Sequence, residues 1–206
     1  MTQRPQGRPM KARPRILSEA CTLFLEQGLD VSLDSIAVQA GTTRQTLYNH
    51  FPTKNALILE TFQFLLDEMQ PSVRVIVEDE RLPLAESLLG LASLVQNHFY
   101  REKFVNFQRL LIQLLRQDPA LFDTLQQRPS QRVKAALVLL LDKAKARGEI
   151  DVEDTSVNAA CFLGSVMGYL LPATLISKEL PDKQLLDAIA HNSVAVFLTA
   201  WHYRHP

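Results

Sequence analysis

Three adjacent polar residues, Arg44, Gln45 and Thr46, combine the chemistries that read the edges of base pairs. An arginine fork donates two hydrogen bonds to guanine, a glutamine amide pairs with adenine, and a threonine methyl touches thymine. Leu47 and Phe51, four apart, give the same stretch an apolar side with which to grip a core. Reading of this kind requires a helix whose first turn faces the major groove.

The residues before it supply such a frame. Ile16, Ala20, Leu23, Phe24 and Gln27 fall at helical spacing, and Gly28 follows as a left-handed cap. Ser32 offers a second start signal, with Asp34 in the first turn, where a negative charge suits the helix dipole. Leu33, Ile36, Ala37 and Ala40 then line one face until Gly41 stops the helix. Thr42 to Gln45 has the T-x-x-Q form of a capping box for a third helix, which Pro52 ends near Phe51. Thr53 can cap the next, from Lys54. Two short helices joined by a glycine turn, with a supporting helix in front, are the parts of a helix-turn-helix.

Composition agrees with a helical fold. The chain has 206 residues, 47% hydrophobic and only seven glycines, which favours helices and a core over disorder. The net charge is zero, yet residues 1–55 hold seven basic against four acidic side chains. The basic N-terminus is a candidate arm for a polyanion. The apolar run after it is broken by Ser18 and Glu19, so no secretory leader is expected and the location is cytoplasmic. Residues 155–177 carry no charge, but Asn158, Gly164, Ser165, Gly168 and Pro172 mark a buried helix rather than a membrane span. Cys21 and Cys161, far apart, read as buried small hydrophobes in a reducing compartment.

The run Ala40-Gly41-Thr42-Thr43-Arg44-Gln45-Thr46-Leu47-Tyr48-Asn49-His50-Phe51-Pro52-Thr53-Lys54 resembles the recognition-helix signature of TetR-family transcriptional regulators. The wider likeness runs from about Arg13 to Phe62, and Gly7-Arg8-Pro9 resembles an arm that many members carry. The resemblance implies that Arg44, Gln45 and Thr46 face bases, while Thr43, Tyr48, His50 and Lys54 bind phosphates. A phenol hydroxyl, a ring N–H and an ammonium beside a helix N-terminus suit that task. Tyr48 packing on the first helix and His50 capping its own remain open readings. Arg8, with Lys11 or Arg4, is the candidate for an adjacent minor groove.

The resemblance further implies an all-α protein. Residues 1–52 form the arm and helix-turn-helix domain, and 53–206 a larger effector-binding and dimerisation domain. Breaks at proline, glycine and charged clusters predict a linking helix over 53–76, with Pro71 ending or bending it. Further helices are expected at 84–99, 103–117, 119–126, 130–147, 152–176 and 182–203. The last two long ones carry small residues (Ala159, Ala160, Gly164, Ser165, Gly168) and a broad apolar face (Leu185, Leu186, Ile189, Val194, Phe197, Leu198, Trp201). They are the expected homodimer surface, suited to an inverted-repeat DNA operator. Phe62, Phe104, Phe107, Leu111, Phe162, Met167 and Tyr169 are pocket candidates for a small, mostly apolar effector that releases a repressor from DNA. No cofactor or metal is expected, since His202 and His205 lack a third ligand. Nor is an enzyme: G-x-S-x-G, phosphate-loop and H-E-x-x-H patterns are missing. The rival reading is a helical protein–protein interaction module, which leaves Arg44 to Lys54 without a task.

Overall fold

The computed structural model describes residues 9–68, 70–126, 132–177 and 179–204. Every regular element among them is helical, so the protein is all-α. The first half holds α1 (Pro9–Gln27), a 3-10 turn (Gly28–Asp30), α2 (Leu33–Gln39), α3 (Arg44–His50), α4 (Lys54–Asp67), α5 (Gln70–Glu78) and α6 (Leu84–Phe99). The second half holds α7 (Glu102–Gln117), α8 (Leu121–Gln126), α9 (Arg132–Ala146), α10 (Thr155–Met167), α11 (Leu171–Ile176) and α12 (Lys183–Ala200).

Two compact units divide the chain. The first takes the chain through Leu65 together with Asn106–Leu125. Ile16, Ala20, Cys21 and Phe24 of α1 are buried in it, with Ile36 and Ala37 of α2, Leu47 of α3 and Leu57 of α4. Each fully buried Leu, Ile or Phe stabilises by roughly 1.5–3 kcal/mol, far more than helices this short gain from propensity. Gly28 ends α1 at φ +73°, a conformation glycine takes freely. Ser32 caps α2 by accepting from the Ser35 amide at 3.0 Å.

The second unit comprises Leu66–Val105 and the chain from Gln126 onward. Within it α5, α6, α9, α10 and α12 pack together around Leu88, Leu91, Val95, Leu137, Leu141, Phe162 and Ala190, all buried. Asp154 and Asp182 cap α10 and α12 through their carboxylates. The Trp201 indole donates to Asn158 Oδ1 at 2.7 Å, tying the end of α12 to α10.

Several expectations need correction. The linking helix over 53–76 is interrupted: α4 ends at Asp67 and α5 begins at Gln70. A proline lacks the N–H that a helix already under way needs but suits a first turn, and position 71 falls in the first turn of α5. The helix over 152–176 is likewise two. Gly168 starts a turn, and Pro172 stands in the opening turn of α11. Gln96 of α6 and Tyr100, which caps that helix, cover the end of α10: Gln96 Nε2 donates to the Val166 carbonyl at 3.1 Å and the Tyr100 hydroxyl to that of Met167 at 2.5 Å. The cap of α3 is Thr43, not Thr42. Thr43 has the extended backbone of a cap, and its hydroxyl accepts from the Thr46 amide. Helix α1 starts at Pro9, so Arg13 and Arg15 stand on its early turns rather than in an arm. Cys21 is buried, as expected, but Cys161 is exposed on α10.

Candidate nucleic-acid interface

Helix α3 is short, and its position depends on its two ends. At its start Thr43 Oγ1 accepts from the Thr46 amide at 3.1 Å and lies 2.9 Å from the Thr46 hydroxyl. Before it, Gly41 adopts φ +55° and the Thr42 amide donates to the Ala37 carbonyl at 2.9 Å, closing the turn from α2. At its far end Leu47 and Phe51 are buried, and Phe51 leaves the helix in extended backbone before Pro52. Thr53 then caps α4, accepting from the Ala56 amide at 3.1 Å.

With Leu47 and Phe51 turned inward, Arg44, Gln45, Tyr48 and Asn49 share the opposite surface, at i, i+1, i+4 and i+5. Thr43, Arg44, Gln45 and Asn49 are exposed, while Thr46, Tyr48, His50 and Lys54 are half-buried. Gln45 Nε2 donates to Asn49 Oδ1 at 2.9 Å. The Arg44 guanidinium lies 5.4 Å from the Tyr48 ring centroid, and its Nη1 is 3.1 Å from Asp34 Oδ2 on α2. The Tyr48 side chain and then the Asp34 charge hold it even more firmly protonated than an ordinary arginine. The His50 ring lies beside Phe51, with centroids 6.1 Å apart, and Lys54 is the first residue of α4. Arg8 lies outside the described residues, as does the side chain of Lys11.

Sequence reasoning missed Asp34 and Asn49 as neighbours of the reading residues. The Gln45–Asn49 pair was legible, since residues four apart on a helix meet. The Asp34–Arg44 pair was not, because only the turn between α2 and α3 brings those positions together. Arg13 has a different task from an arm. It pairs with Glu60 of α4 at 2.5 Å, and its guanidinium lies 5.5 Å from the Phe51 ring centroid.

The pocket candidates are divided between the two units. Phe62 and Phe107 stack in the first unit, with centroids 6.2 Å apart, and Leu111 is buried there too. In the second unit Phe104 meets His98 and Phe99, and Phe162 meets Phe197 and Trp201. Met167 is half-buried at the end of α10. Tyr169 is 86% exposed, because it falls in the break after α10. No group of His, Cys, Asp and Glu suited to a metal ion occurs among the described residues. No described helix is long and apolar enough to cross a membrane.

Comparison with known proteins fits this geometry. Residues 16–61 match the family described as bacterial regulatory proteins, tetR family, and residues 86–203 match the AefR-like transcriptional repressor C-terminal domain. The HTH-type transcriptional repressor BepR of Brucella suis is 25% identical, with 99% of this chain and 97% of that protein covered. A solved TetR-family regulator from Mesorhizobium loti superposes with a TM-score of 0.80 at 23% identity, covering 95% of this chain and 98% of the other. The flavonoid-responsive regulator FrrA is 25% identical with a TM-score of 0.68, covering 92% and 96%.

Proposed function

Because the chain belongs to the TetR family of DNA-binding transcriptional regulators, we propose that it is a cytoplasmic repressor that binds an inverted-repeat operator as a homodimer. A small, mostly apolar effector releases it. One observation carries this reading: α3 is capped, anchored by Leu47 and Phe51, and sets exposed Arg44, Gln45 and Asn49 beside half-buried Tyr48 on one side. Arg44, Gln45 and Thr46 contact bases, and Thr43, Tyr48, His50 and Lys54 hold the flanking phosphates. Arg8 and Lys11 reach the neighbouring minor groove. Residues 1–52 act as the reading domain and 53–206 as the effector-binding and dimerising domain.

Dimerisation is supported by apolar surface on the two C-terminal long helices. Val157 of α10 and Leu185 and Val196 of α12 are each about half exposed. Water contact of that kind is relieved by a second copy. Two-fold symmetry then sets two α3 helices about 34–36 Å apart, one helical turn of duplex. Effector response is supported by the Phe62–Phe107 stack, because Phe62 shares α4 with Lys54. A ligand entering there shifts α4 and with it the phosphate contact. It acts only in so far as it prefers the form off DNA. That FrrA responds to flavonoids makes aromatic ligands the first class to try.

Selection of bound duplexes from a random pool tests the reading. An enriched inverted repeat, bound by a species sedimenting as a dimer, is the expected result. No enrichment at low salt, or binding only as a monomer, overturns it.

A further inference from the structure

Asp34 is a carboxylate on a surface meant for a polyanion. It occupies the first turn of α2, where the helix dipole suits a negative charge, yet its side chain is 55% exposed and lies 3.1 Å from Arg44 Nη1. An exposed pair of this kind shifts an equilibrium by only about two- to fivefold, so its contribution to folding is small. Its geometry says more. Arginine is a long, flexible side chain with five donors, and a guanine contact uses two of them in a fixed plane. Here the guanidinium is held from two directions, by the Asp34 carboxylate of the preceding helix and by the Tyr48 ring one turn on. A side chain already oriented loses less freedom when it meets its base.

We infer that Asp34 is a specificity-determining positioning residue. Its carboxylate aims the Arg44 fork, and its charge repels phosphates wherever no matching base draws Arg44 forward. This rests on the reading of Arg44 as a base contact. Asp34 therefore lowers affinity for unrelated duplexes while sharpening preference at the base Arg44 reads.

Selection from a random duplex pool, run with the full-length wild type, Arg44→Ala, Asp34→Ala and the double variant, tests this. Thermal melting confirms that each is folded. Arg44→Ala loses roughly five- to 150-fold preference at one position of each half-site. Asp34→Ala loses about two- to fivefold at that same position and binds random duplex more tightly. In the double variant Asp34→Ala adds no further loss of preference. If Arg44→Ala erases a preference that Asp34→Ala leaves intact, the inference about Asp34 fails and the reading of Arg44 stands. If Asp34→Ala alters preference at a different position, or still changes base preference without Arg44, Asp34 is no positioning residue. If Arg44→Ala erases nothing, the base-contact reading falls and takes this inference with it.

Discussion

Arg15 on α1 donates from Nη2 to the carbonyl of Gly41 at 2.9 Å, so the turn between α2 and α3 is also held from outside the pair. Gly41 itself stands at φ +55°. A β-carbon there would lie 3.5 Å from Arg15 Nη2, an ordinary contact, so the cost of Gly41→Ala comes from the backbone. That cost is roughly 1–2 kcal/mol. For a chain of this size it lowers the melting temperature by about 2–4 °C per kcal/mol. An unchanged melting curve would show that the left-handed turn carries no strain for alanine.

Lys54 and Arg44 should separate by salt. Lys54→Ala weakens binding to every duplex alike and flattens the plot of log affinity against log salt by about 0.9 for each phosphate contact removed. Arg44→Ala also costs about 1–3 kcal/mol of discrimination at one base. Titrations at several salt concentrations, on selected and random duplexes, measure both. Identical losses on the two duplexes would remove Arg44 from base readout.

Thr43 can be tested as a cap apart from any phosphate contact. Thr43→Ala strips the acceptor that serves the Thr46 amide and should destabilise by about 1 kcal/mol, while Thr43→Ser keeps the oxygen and most of the stability. Chemical denaturation without DNA reports the cap alone. If serine and alanine behave alike, the hydroxyl is not holding the start of α3.

Gly164 offers a way to split the proposed dimer without disturbing the protomer. A β-carbon there meets nothing within 4 Å among the described residues. Gly164→Leu should therefore leave helicity intact and weaken self-association at least tenfold by sedimentation. A variant that stays as dimeric as the wild type would place the interface elsewhere.

Tyr100 predicts a response to alkali. Burial pushes its hydroxyl pKa above the ordinary tyrosine value, and the hydroxyl donates to the Met167 carbonyl. The folded protein thus holds this proton more tightly than the unfolded chain. The linked stability is full below the unfolded value, near ~10, and is lost as pH rises through the folded one. Tyr100→Phe should cost about 0.5–1.5 kcal/mol at neutral pH and shrink the alkaline loss. Denaturation midpoints between neutral and strongly alkaline pH check both.

Much of this is legible in the amino-acid sequence. The helix-turn-helix could be read because its signals are local: Ser32 capping α2, Gly41 stopping it, and Leu47 and Phe51 marking the buried side of α3. The long helices were harder. Residues 53–76 and 152–176 keep apolar periodicity through their breaks, and only Pro71, Gly168 and Pro172 betray them. Tertiary pairs such as Arg13–Glu60 and Asp34–Arg44 left no periodic trace. Side-chain type named the pocket candidates, and type does not say which unit a residue enters.

Two glycines near the end of α10 differ in the room around them. At Gly164 a β-carbon meets nothing within 4 Å among the described residues, whereas at Gly168 it would stand 2.6 Å from the Gly164 carbonyl oxygen. Backbone must move before any other amino acid fits there. A side chain at 168 would therefore reshape the bend after α10, whereas one at 164 would leave that bend as it stands.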